Sequence, residues 1–365
     1  MQKVYNFSAG PSVLPKEVME KAQQQMLDYN GTGMSVMEIS HRSPEFEEIL
    51  RSAEASLRKL MNIPSGYKVL FVQGGATTQF AAVPLNLLSE HRCADYVISG
   101  QYAMKAMQEA KKYGDISVAA SSAGATPAYS TIPKTGKSDF RPDADYVHIC
   151  FNNTIYGTKY NSIPETGNIP LVADVSSCIL SEPLDVSKFG LLYASAQKNI
   201  GPAGLTVVIV REDLIGNARP DTPTMLNYKI ISESGSLHNT PPCYSIYIAK
   251  LVFDWILSLG GLEEMKRRNE RKASLIYDYL DGQNYYTSAV DKTCRSMVNV
   301  VFVTGDKQLD DKFIKEAADA GFLNLAGDPS VGGMRASIYN AMPYEGVEKL
   351  VAFMRKFAVE NPRIF

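Results

Sequence analysis

Residues 192–210 read LYASAQKNIGPAGLTVVIV, and this stretch decides the fold. Two short apolar runs, 192–195 and 205–210, flank a loop of small residues and glycines. Runs of this length that are apolar throughout are typical of strands buried on both faces. Working outward from them, further runs of the same kind lie at 69–72, 96–99, 116–119, 146–151 and 171–174.

Helical patterns separate several of these runs. Residues 46–60 place apolar side chains on one helical face, and 77–89 and 102–112 also favour helices. Alternation of buried strands with helices predicts an α/β fold, in which a mainly parallel sheet of seven strands is covered by helices on both faces.

The pattern changes after Thr240-Pro241-Pro242, which stops any preceding element. A helical stretch over 244–259 and a second one running to about 280 are separated by Gly260-Gly261. A strand at 298–303, a helix at 306–320, short strands near 322 and 334 and a last helix follow. We therefore expect a large domain at 1–258 and a smaller α+β domain at 259–365, with residues 1–15 packing on the smaller one.

The composition is that of a folded protein and argues against several functions. Of the 365 residues, 45% are apolar and 21% are charged, and the formal net charge is −2. Without a basic excess, a nucleic-acid surface is not expected. No Cys-x-x-Cys pair occurs, so neither a zinc site nor a disulfide framework is indicated, and a reducing compartment fits the odd number of scattered cysteines: Cys93, Cys150, Cys178, Cys243 and Cys294.

The N-terminal residues MQKVYN lack the apolar core of a signal peptide, and no apolar run approaches the length of a membrane span. We therefore expect a soluble, cytoplasmic protein that works without a membrane.

Ligands of an open parallel sheet bind at the carboxyl ends of its strands. The first such end leads into Gly74-Gly75-Ala76-Thr77-Thr78, where a helix begins at once. Free N–H groups and the helix dipole at such a start suit a phosphate group. Taken alone, a tight turn capped by threonine explains the stretch equally well, and it is not a Walker loop because no Gly-Lys-Ser/Thr follows.

Two further strand ends carry single charged residues. Asp174 ends one run, and Lys198 lies in a loop after another with small neighbours around it. Each has an ordinary explanation, as a turn or N-cap aspartate and as a solvated lysine. Lysine, however, forms Schiff bases with carbonyl cofactors. Pyridoxal phosphate requires a lysine, a carboxylate and a site that binds its phosphate group. The combination of the three therefore predicts this cofactor.

Two arginine sites could bind anions. His41-Arg42 lies in a polar segment, and Arg335 follows a double glycine in a short predicted strand. Arginine binds carboxylate or phosphate through a two-pronged fork. A surface arginine is the simpler explanation for either site, and Arg42 could equally pair with Glu38 or Glu45.

The segment SAQKNIGPAG at 195–204 resembles the cofactor-lysine segment of the phosphoserine aminotransferases, a family within the class V pyridoxal-phosphate aminotransferases. The resemblance runs from about Asn6 to about Met354. Its further motifs are FSAGPSVLP (7–15), SVMEISHRS (35–43), VQGGATTQFAAVPLNLL (72–88), HNTPP (238–242) and VGGMRASIYNAMP (331–343).

This resemblance implies the fold type I of pyridoxal enzymes and a homodimer with shared active sites. Lys198 would be the catalytic residue that holds the cofactor and moves a proton. Asp174 would pair with the ring nitrogen, Tyr102 would stack on the ring, and Thr154 would lie near its phenolic oxygen. Further implied cofactor contacts are Ala76, Thr77 and Gln197, and, from the partner subunit, Asn239 and Thr240. Implied substrate contacts are Arg335 for the α-carboxylate and the partner's His41 and Arg42 for the distal anion.

Two positions depart from many members of the family. Tyr102 stands where many carry tryptophan, and a tyrosine also offers a flat ring for stacking. Thr77 stands where some bacterial members carry arginine, so one cation is missing from the phosphorylated end of the substrate.

The implied reaction is reversible transamination between L-glutamate and 3-phosphohydroxypyruvate, giving O-phospho-L-serine and 2-oxoglutarate in serine biosynthesis. Members of the family often also act on a phosphorylated four-carbon analogue, 3-hydroxy-2-oxo-4-phosphooxybutanoate of vitamin B6 synthesis, and the sequence leaves open whether this protein does. The alternatives are another enzyme of the same fold, such as an alanine–glyoxylate aminotransferase or a cysteine desulfurase, and a non-catalytic nucleotide-binding protein, which would not need Lys198.

Overall fold

The computed structural model describes residues 3–362. Its strands in chain order are β1 (Tyr5–Asn6), β2 (Tyr67–Gln73), β3 (Cys93–Ile98), β4 (Asp115–Ser121), β5 (Tyr146–Cys150), β6 (Asn152–Asn153), β7 (Thr158–Lys159), β8 (Leu171–Asp174), β9 (Leu191–Ser195), β10 (Leu205–Arg211), β11 (Asn299–Phe302), β12 (Phe322–Leu323) and β13 (Met334–Ser337). Its α-helices are α1 (Lys16–Gln24), α2 (Pro44–Met61), α3 (Gly75–Leu87), α4 (Gln101–Ala110), α5 (Tyr228–Glu233), α6 (Cys243–Ser258), α7 (Gly261–Asp281), α8 (Lys307–Asp319) and α9 (Tyr344–Glu360).

Seven strands form one sheet in the order β2-β10-β9-β8-β5-β3-β4. These are the seven apolar runs identified in the sequence, so the predicted sheet is confirmed. Strands β9, β8, β5, β3 and β4 pair in parallel, whereas β10 runs antiparallel to both of its neighbours. The reversal of β10 follows from the short 196–204 loop, because a parallel crossover needs a dozen or more residues.

Both faces of the sheet are covered by apolar side chains. In β2, Val69 and Phe71 join one core cluster, and the alternating Leu70 and Val72 join the other. The first cluster includes residues of α2 and α6, which pack closely, and the second includes residues of α3 and α4. Because neither face meets water, the strands are apolar throughout rather than alternating.

A third core cluster belongs to the C-terminal part of the chain, where β11 and β13 pair antiparallel beside α7, α8 and α9. Tyr5 and Phe7 are buried in this same cluster, and β1 pairs in parallel with β12. The helices α6 and α7 meet at an angle of 84° around the Gly260-Gly261 break. The proposed domain boundary at 258/259 coincides with this bend and stays a prediction.

Some elements have no counterpart in the sequence prediction. These are the short helices α1 and α5 and the strands β1, β6 and β7. Each of these strands has only two residues, too few to show a periodic pattern. Within residues 3–362, no single helix is both long and apolar enough to cross a membrane, and α6 and α7 meet that standard only as a bent pair, by length and composition alone. Most of the apolar side chains of α6 are buried in the first core cluster.

Candidate active site

A cavity of about 440 Å³ opens at the carboxyl ends of β2, β8 and β9. Seven of the predicted site residues line it: Ala76, Thr77, Tyr102, Thr154, Asp174, Gln197 and Lys198. A larger cavity, about 560 Å³, lies between the N-terminal segment and α7 and contains none of the predicted residues. The arrangement of chemical groups, rather than size, therefore identifies the smaller cavity as the candidate active site.

Lys198 enters the cavity from the tight loop that joins β9 to β10. Its Nζ atom donates a 2.7 Å hydrogen bond to the Thr154 hydroxyl and lies 5.8 Å from the centroid of the Tyr102 ring. Burial lowers the pKa of Lys198, although Tyr102 and Asp174 raise it in part. A lysine with a lowered pKa has a larger neutral fraction, which is the form that attacks a carbonyl carbon.

Asp174 ends β8 and is only 6% exposed. The backbone N–H of Ser176 donates to its Oδ1 atom at 2.9 Å. Burial raises the pKa of Asp174, with the Ser176 hydrogen bonds and the charge of Lys198 acting in the opposite sense. Within residues 3–362, no cationic side chain forms an ion pair with this carboxylate. A protonated ring nitrogen would supply the missing partner, so this buried acid fits a pyridine-type cofactor.

The start of α3 forms a cradle that fits a phosphate group. Gly74 caps the helix with a φ of +102°, and a β-carbon there would lie 2.1 Å from Thr78 Oγ1. Gly75, with a φ of +76°, approaches the Ser195 hydroxyl. These two glycines let the backbone turn tightly, so the helix N-terminus and its dipole face the cavity beside Thr77. The Ser195 hydroxyl beside Gly75 donates to the Gln197 side chain at 2.6 Å.

The N-terminal segment closes one side of the cavity, a contact that the strand-end residues alone do not predict. Gly10 and Pro11 line the wall, the Ser12 N–H donates to the Gln197 carbonyl at 2.9 Å, and the Ser12 hydroxyl bonds to the Lys198 carbonyl. The FSAGPSVLP motif at 7–15 is the sequence feature that indicates this contact.

Five predicted residues do not line the cavity of their own chain. Asn239 and Thr240 are exposed, and the Thr240 carbonyl accepts a 3.0 Å hydrogen bond from Gln73. His41 and Arg42 lie just before α2, with Arg42 Nε 3.4 Å from His41 Nε2. Arg335 lies in β13 and is near enough for its charge to contribute to lowering the pKa of Lys198.

The cysteines near the cavity are poor candidates for a nucleophile. Cys150 lines the wall and Cys178 lies nearby, and both are buried. Burial raises the pKa of both thiols, so both stay protonated near neutral pH. A cysteine-based reaction of the desulfurase type is therefore not supported.

The α/β fold and a lysine, a buried acid and a phosphate cradle in one cavity define the class as pyridoxal-phosphate enzymes of fold type I. The chain belongs to the class-V aminotransferase family, whose model matches residues 4–350. It is similar over its whole length to phosphoserine aminotransferases. One from Bacillus cereus is 53% identical over 361 residues, which are 99% of this chain and 100% of that protein.

Solved structures agree with this similarity. The phosphoserine aminotransferase of Bacillus circulans subsp. alkalophilus has a TM-score of 0.94 and 48% identity, covering 98% of this chain and 99% of that one. A PLP-bound phosphoserine aminotransferase of Trichomonas vaginalis has a TM-score of 0.89 and 35% identity, covering 97% of this chain and 100% of that one.

An alanine–glyoxylate aminotransferase from Nostoc sp. also shares the fold, with a TM-score of 0.77 and coverage of 98% of this chain and 96% of that one. At 13% identity, this likeness shows the fold alone. The full-length relatives therefore support the phosphoserine aminotransferase interpretation over the alanine–glyoxylate alternative.

Proposed function

We propose that this protein catalyses the reversible transamination between L-glutamate and 3-phosphohydroxypyruvate, giving 2-oxoglutarate and O-phospho-L-serine. The observation that carries the proposal is the single cavity that holds Lys198, Asp174 and the N-terminus of α3. Full-length similarity to phosphoserine aminotransferases supports the choice of substrate.

The residues fit pyridoxal phosphate, which when bound supplies a reactive carbonyl carbon and a ring that stabilises negative charge on the substrate carbon. Lys198 would hold the cofactor, and its amine would move the proton at the substrate α-carbon. Asp174 would keep the ring nitrogen protonated, and Tyr102 would cover one face of the ring. The backbone at Ala76 and Thr77, with Gln197, would bind the phosphate group.

Thr154 has two roles in this proposal. Its hydroxyl accepts a hydrogen bond from Lys198, so it can orient the amine, and it would lie near the phenolic oxygen of the bound ring. Arg335 would bind the α-carboxylate of either substrate through its guanidinium fork.

We propose a homodimer with shared sites. Asn239, Thr240, His41 and Arg42 lie outside the cavity of their own chain, and all four are polar residues suited to binding anions. In the dimer, the first two would reach the cofactor phosphate of the other subunit. The His41-Arg42 pair would bind the distal phosphate of the substrate, which position 77 cannot do without an arginine.

We also propose a cytoplasmic location and a domain boundary near 258/259. All five cysteines are free thiols, as expected in a reducing compartment. The bend of 84° between α6 and α7 supports the position of this boundary.

The decisive experiment separates the two half-reactions. Glutamate should convert the yellow holoenzyme to its pyridoxamine form, and 3-phosphohydroxypyruvate should reverse the change at least about 100-fold faster than pyruvate or glyoxylate, because only it carries the distal phosphate. Equal rates with the three acceptors would contradict the substrate assignment.

A second experiment tests Lys198. Borohydride should fix the cofactor to Lys198, and Lys198→Ala should slow the reaction with glutamate at least about 1000-fold, since a positioned proton carrier alone contributes about 100- to 10,000-fold. The matched control is Lys188→Ala, at an exposed lysine away from the cavity. A Lys198→Ala enzyme with the wild-type rate would refute the proposal.

A further inference from the structure

The larger cavity, which lies between the N-terminal segment and α7, has the size and the lining of a ligand site. Its volume of about 560 Å³ is in the range that holds small organic molecules. It shares no lining residue with the candidate active site. Much of its wall is apolar or aromatic: Val13, Leu14, Pro15, Trp255, Met342 and Tyr344. A molecule bound here would therefore be separate from the substrates of the proposed reaction.

Cationic side chains outnumber acidic ones in the wall of this cavity. The cationic residues are Lys3, Lys16, Arg268, Arg271 and Lys272, and the acidic ones are Glu17 and Glu264. Lys3, Lys16 and Arg268 each form an ion pair with a glutamate. In the described part of the chain, residues 3–362, no acidic side chain forms an ion pair with Arg271 or Lys272. The cavity therefore holds uncompensated positive charge, which favours an anionic ligand.

Lys272 supplies a buried part of this charge. It lies on the same face of α7 as Arg268, one turn further on, and is only 2% exposed. Its ammonium group donates to the carbonyls of Ile338 at 3.0 Å and Tyr339 at 2.7 Å. Burial and the charge of Arg268 lower the pKa of Lys272 to about 7. The backbone thus satisfies its hydrogen bonds but does not balance its charge, and an anion in the cavity would do so.

Arg271 supplies the group that can bind an anion directly. Its guanidinium carbon lies over the Tyr344 ring, 5.0 Å from the ring centroid. A ring in this position covers the face of a guanidinium and leaves the N–H groups at its edge free to donate. A carboxylate accepts two such N–H groups side by side. Because Trp255 lines the same cavity, an apolar body attached to the carboxylate would meet an aromatic wall.

We propose that this cavity binds a small organic carboxylate with an aromatic or other apolar body. The Arg271 fork would hold the carboxylate, Lys272 would balance its charge from behind the wall, and Trp255 would pack against the apolar body. The proposal goes beyond the transamination reaction and does not depend on it, since none of these three residues lines the active-site cavity.

The test uses phenylacetate as the probe and the fluorescence of Trp255, the only tryptophan of the chain, as the readout. Phenylacetate carries a carboxylate and a ring but lacks the amino or 2-oxo group that transamination requires. In the holoenzyme it should change the fluorescence with half-saturation at about 1 mM or below, as expected for a ligand of this size. The neutral analogue 2-phenylethanol should need at least about a tenfold higher concentration. No change with phenylacetate, or an equal response to both molecules, would overturn the proposal.

Arg271→Gln tests the carboxylate fork. It should raise the half-saturating concentration of phenylacetate at least about tenfold, because a charge-assisted pair of hydrogen bonds is lost. The matched control is Arg267→Gln, one helical turn earlier, at an exposed arginine outside this cavity, and it should keep the wild-type value. Arg335→Gln, which excludes binding at the proposed substrate site, should also keep it.

A fluorescence response that persists unchanged in Arg271→Gln, or that is lost equally in Arg335→Gln, would place phenylacetate elsewhere and overturn the proposal. The readout requires no turnover, so the two proposals fail separately. A protein that shows the Arg271-dependent response but does not aminate 3-phosphohydroxypyruvate would refute the proposed reaction and confirm this site.

Discussion

The backbone N–H of Asn340 donates a 3.0 Å hydrogen bond to the side-chain oxygen of Asn199, the residue that follows Lys198. The side-chain nitrogen of Asn199 donates in turn to the Ile179 carbonyl at 2.9 Å. One buried side chain therefore ties the lysine loop both to the C-terminal part and to the segment after Asp174.

This link predicts that Asn199→Leu is costly despite its similar volume. The Asn340 N–H and the Ile179 carbonyl would both be left unpaired, which we expect to lower the free energy of unfolding by about 2–4 kcal/mol. Chemical denaturation of the holoenzyme measures the loss. The control is Asn217→Leu, at an exposed asparagine, which should change stability by less than about 0.5 kcal/mol.

Asp174→Asn should have opposite effects with and without the cofactor. The raised pKa of Asp174 means that its favourable contribution to folding is present at low pH and is lost as the pH rises above the ordinary carboxyl value. At pH 7.5 the cofactor-free variant should therefore unfold at the same or a higher temperature than the cofactor-free wild type.

In the holoenzyme the same substitution removes the partner of the ring nitrogen. We expect kcat to fall at least about 100-fold and cofactor release to become faster. Thermal melts of the wild type and of Asp174→Asn, each with and without pyridoxal phosphate, measure whether the substitution lowers stability only when the cofactor is bound. An equal loss of stability in the two forms would mean that Asp174 does not serve the cofactor.

Gly74→Ala tests the phosphate cradle. A β-carbon at position 74 would collide with the side chain of Thr78, and the φ of +102° is itself unfavourable for alanine. The control, Gly216→Ala, has a nearly equal φ of +108° and open space around it, so it shows the conformational cost alone, about 1 kcal/mol. Gly74→Ala should cost more than this and weaken cofactor binding in equilibrium dialysis, whereas Gly216→Ala should leave binding unchanged.

His148 should make the fold sensitive to acid. It lies in β5 below the site, bonded through Nε2 to the Tyr193 hydroxyl at 2.9 Å, and burial lowers its pKa from 6.5 to about 3. Below pH 6.5 the unfolded chain takes up a proton that the folded chain refuses, so stability present above pH 6.5 is lost as the pH falls.

The expected slope from His148 is about 1.4 kcal/mol per pH unit between pH 6 and 4. His148→Gln should remove this dependence of the unfolding free energy on pH. The control His91→Gln, at a half-exposed histidine, should retain it. Urea denaturation at several pH values measures the slope. If the wild type and His148→Gln had the same slope, the histidine would not be the acid-sensitive group.

The shared-site dimer predicts complementation between inactive chains. Arg42→Ala would damage the site of the partner subunit, and Lys198→Ala would damage its own. A heterodimer of the two keeps one site with both residues intact, so mixing should restore up to about half of the wild-type activity per dimer. Differently tagged chains allow the heterodimer to be isolated, and an inactive heterodimer would argue against sharing.

The fold could be predicted largely because its strands are buried on both faces and their apolar runs are bounded by turn residues. The antiparallel direction of β10 was not predicted from its apolar content, which is the same in either direction; the sequence signal for it is the short 196–204 loop. In the site, Lys198, Asp174 and the Gly74 turn followed from strand ends and from chemistry. The role of Asn199 did not, because it depends on a hydrogen bond across more than a hundred residues of sequence.

The pairing of Tyr5 with Phe322 has a consequence for how the protein is made. The first strand to leave the ribosome finds its partner only when almost the whole chain has been synthesised. Until then, Ser12 can bond to the lysine loop, but the strand that precedes it has no partner, so a nascent chain that has already formed its central sheet lacks one of the two supports of this segment. A chain stalled before residue 322 should accordingly capture the cofactor less well than the full chain.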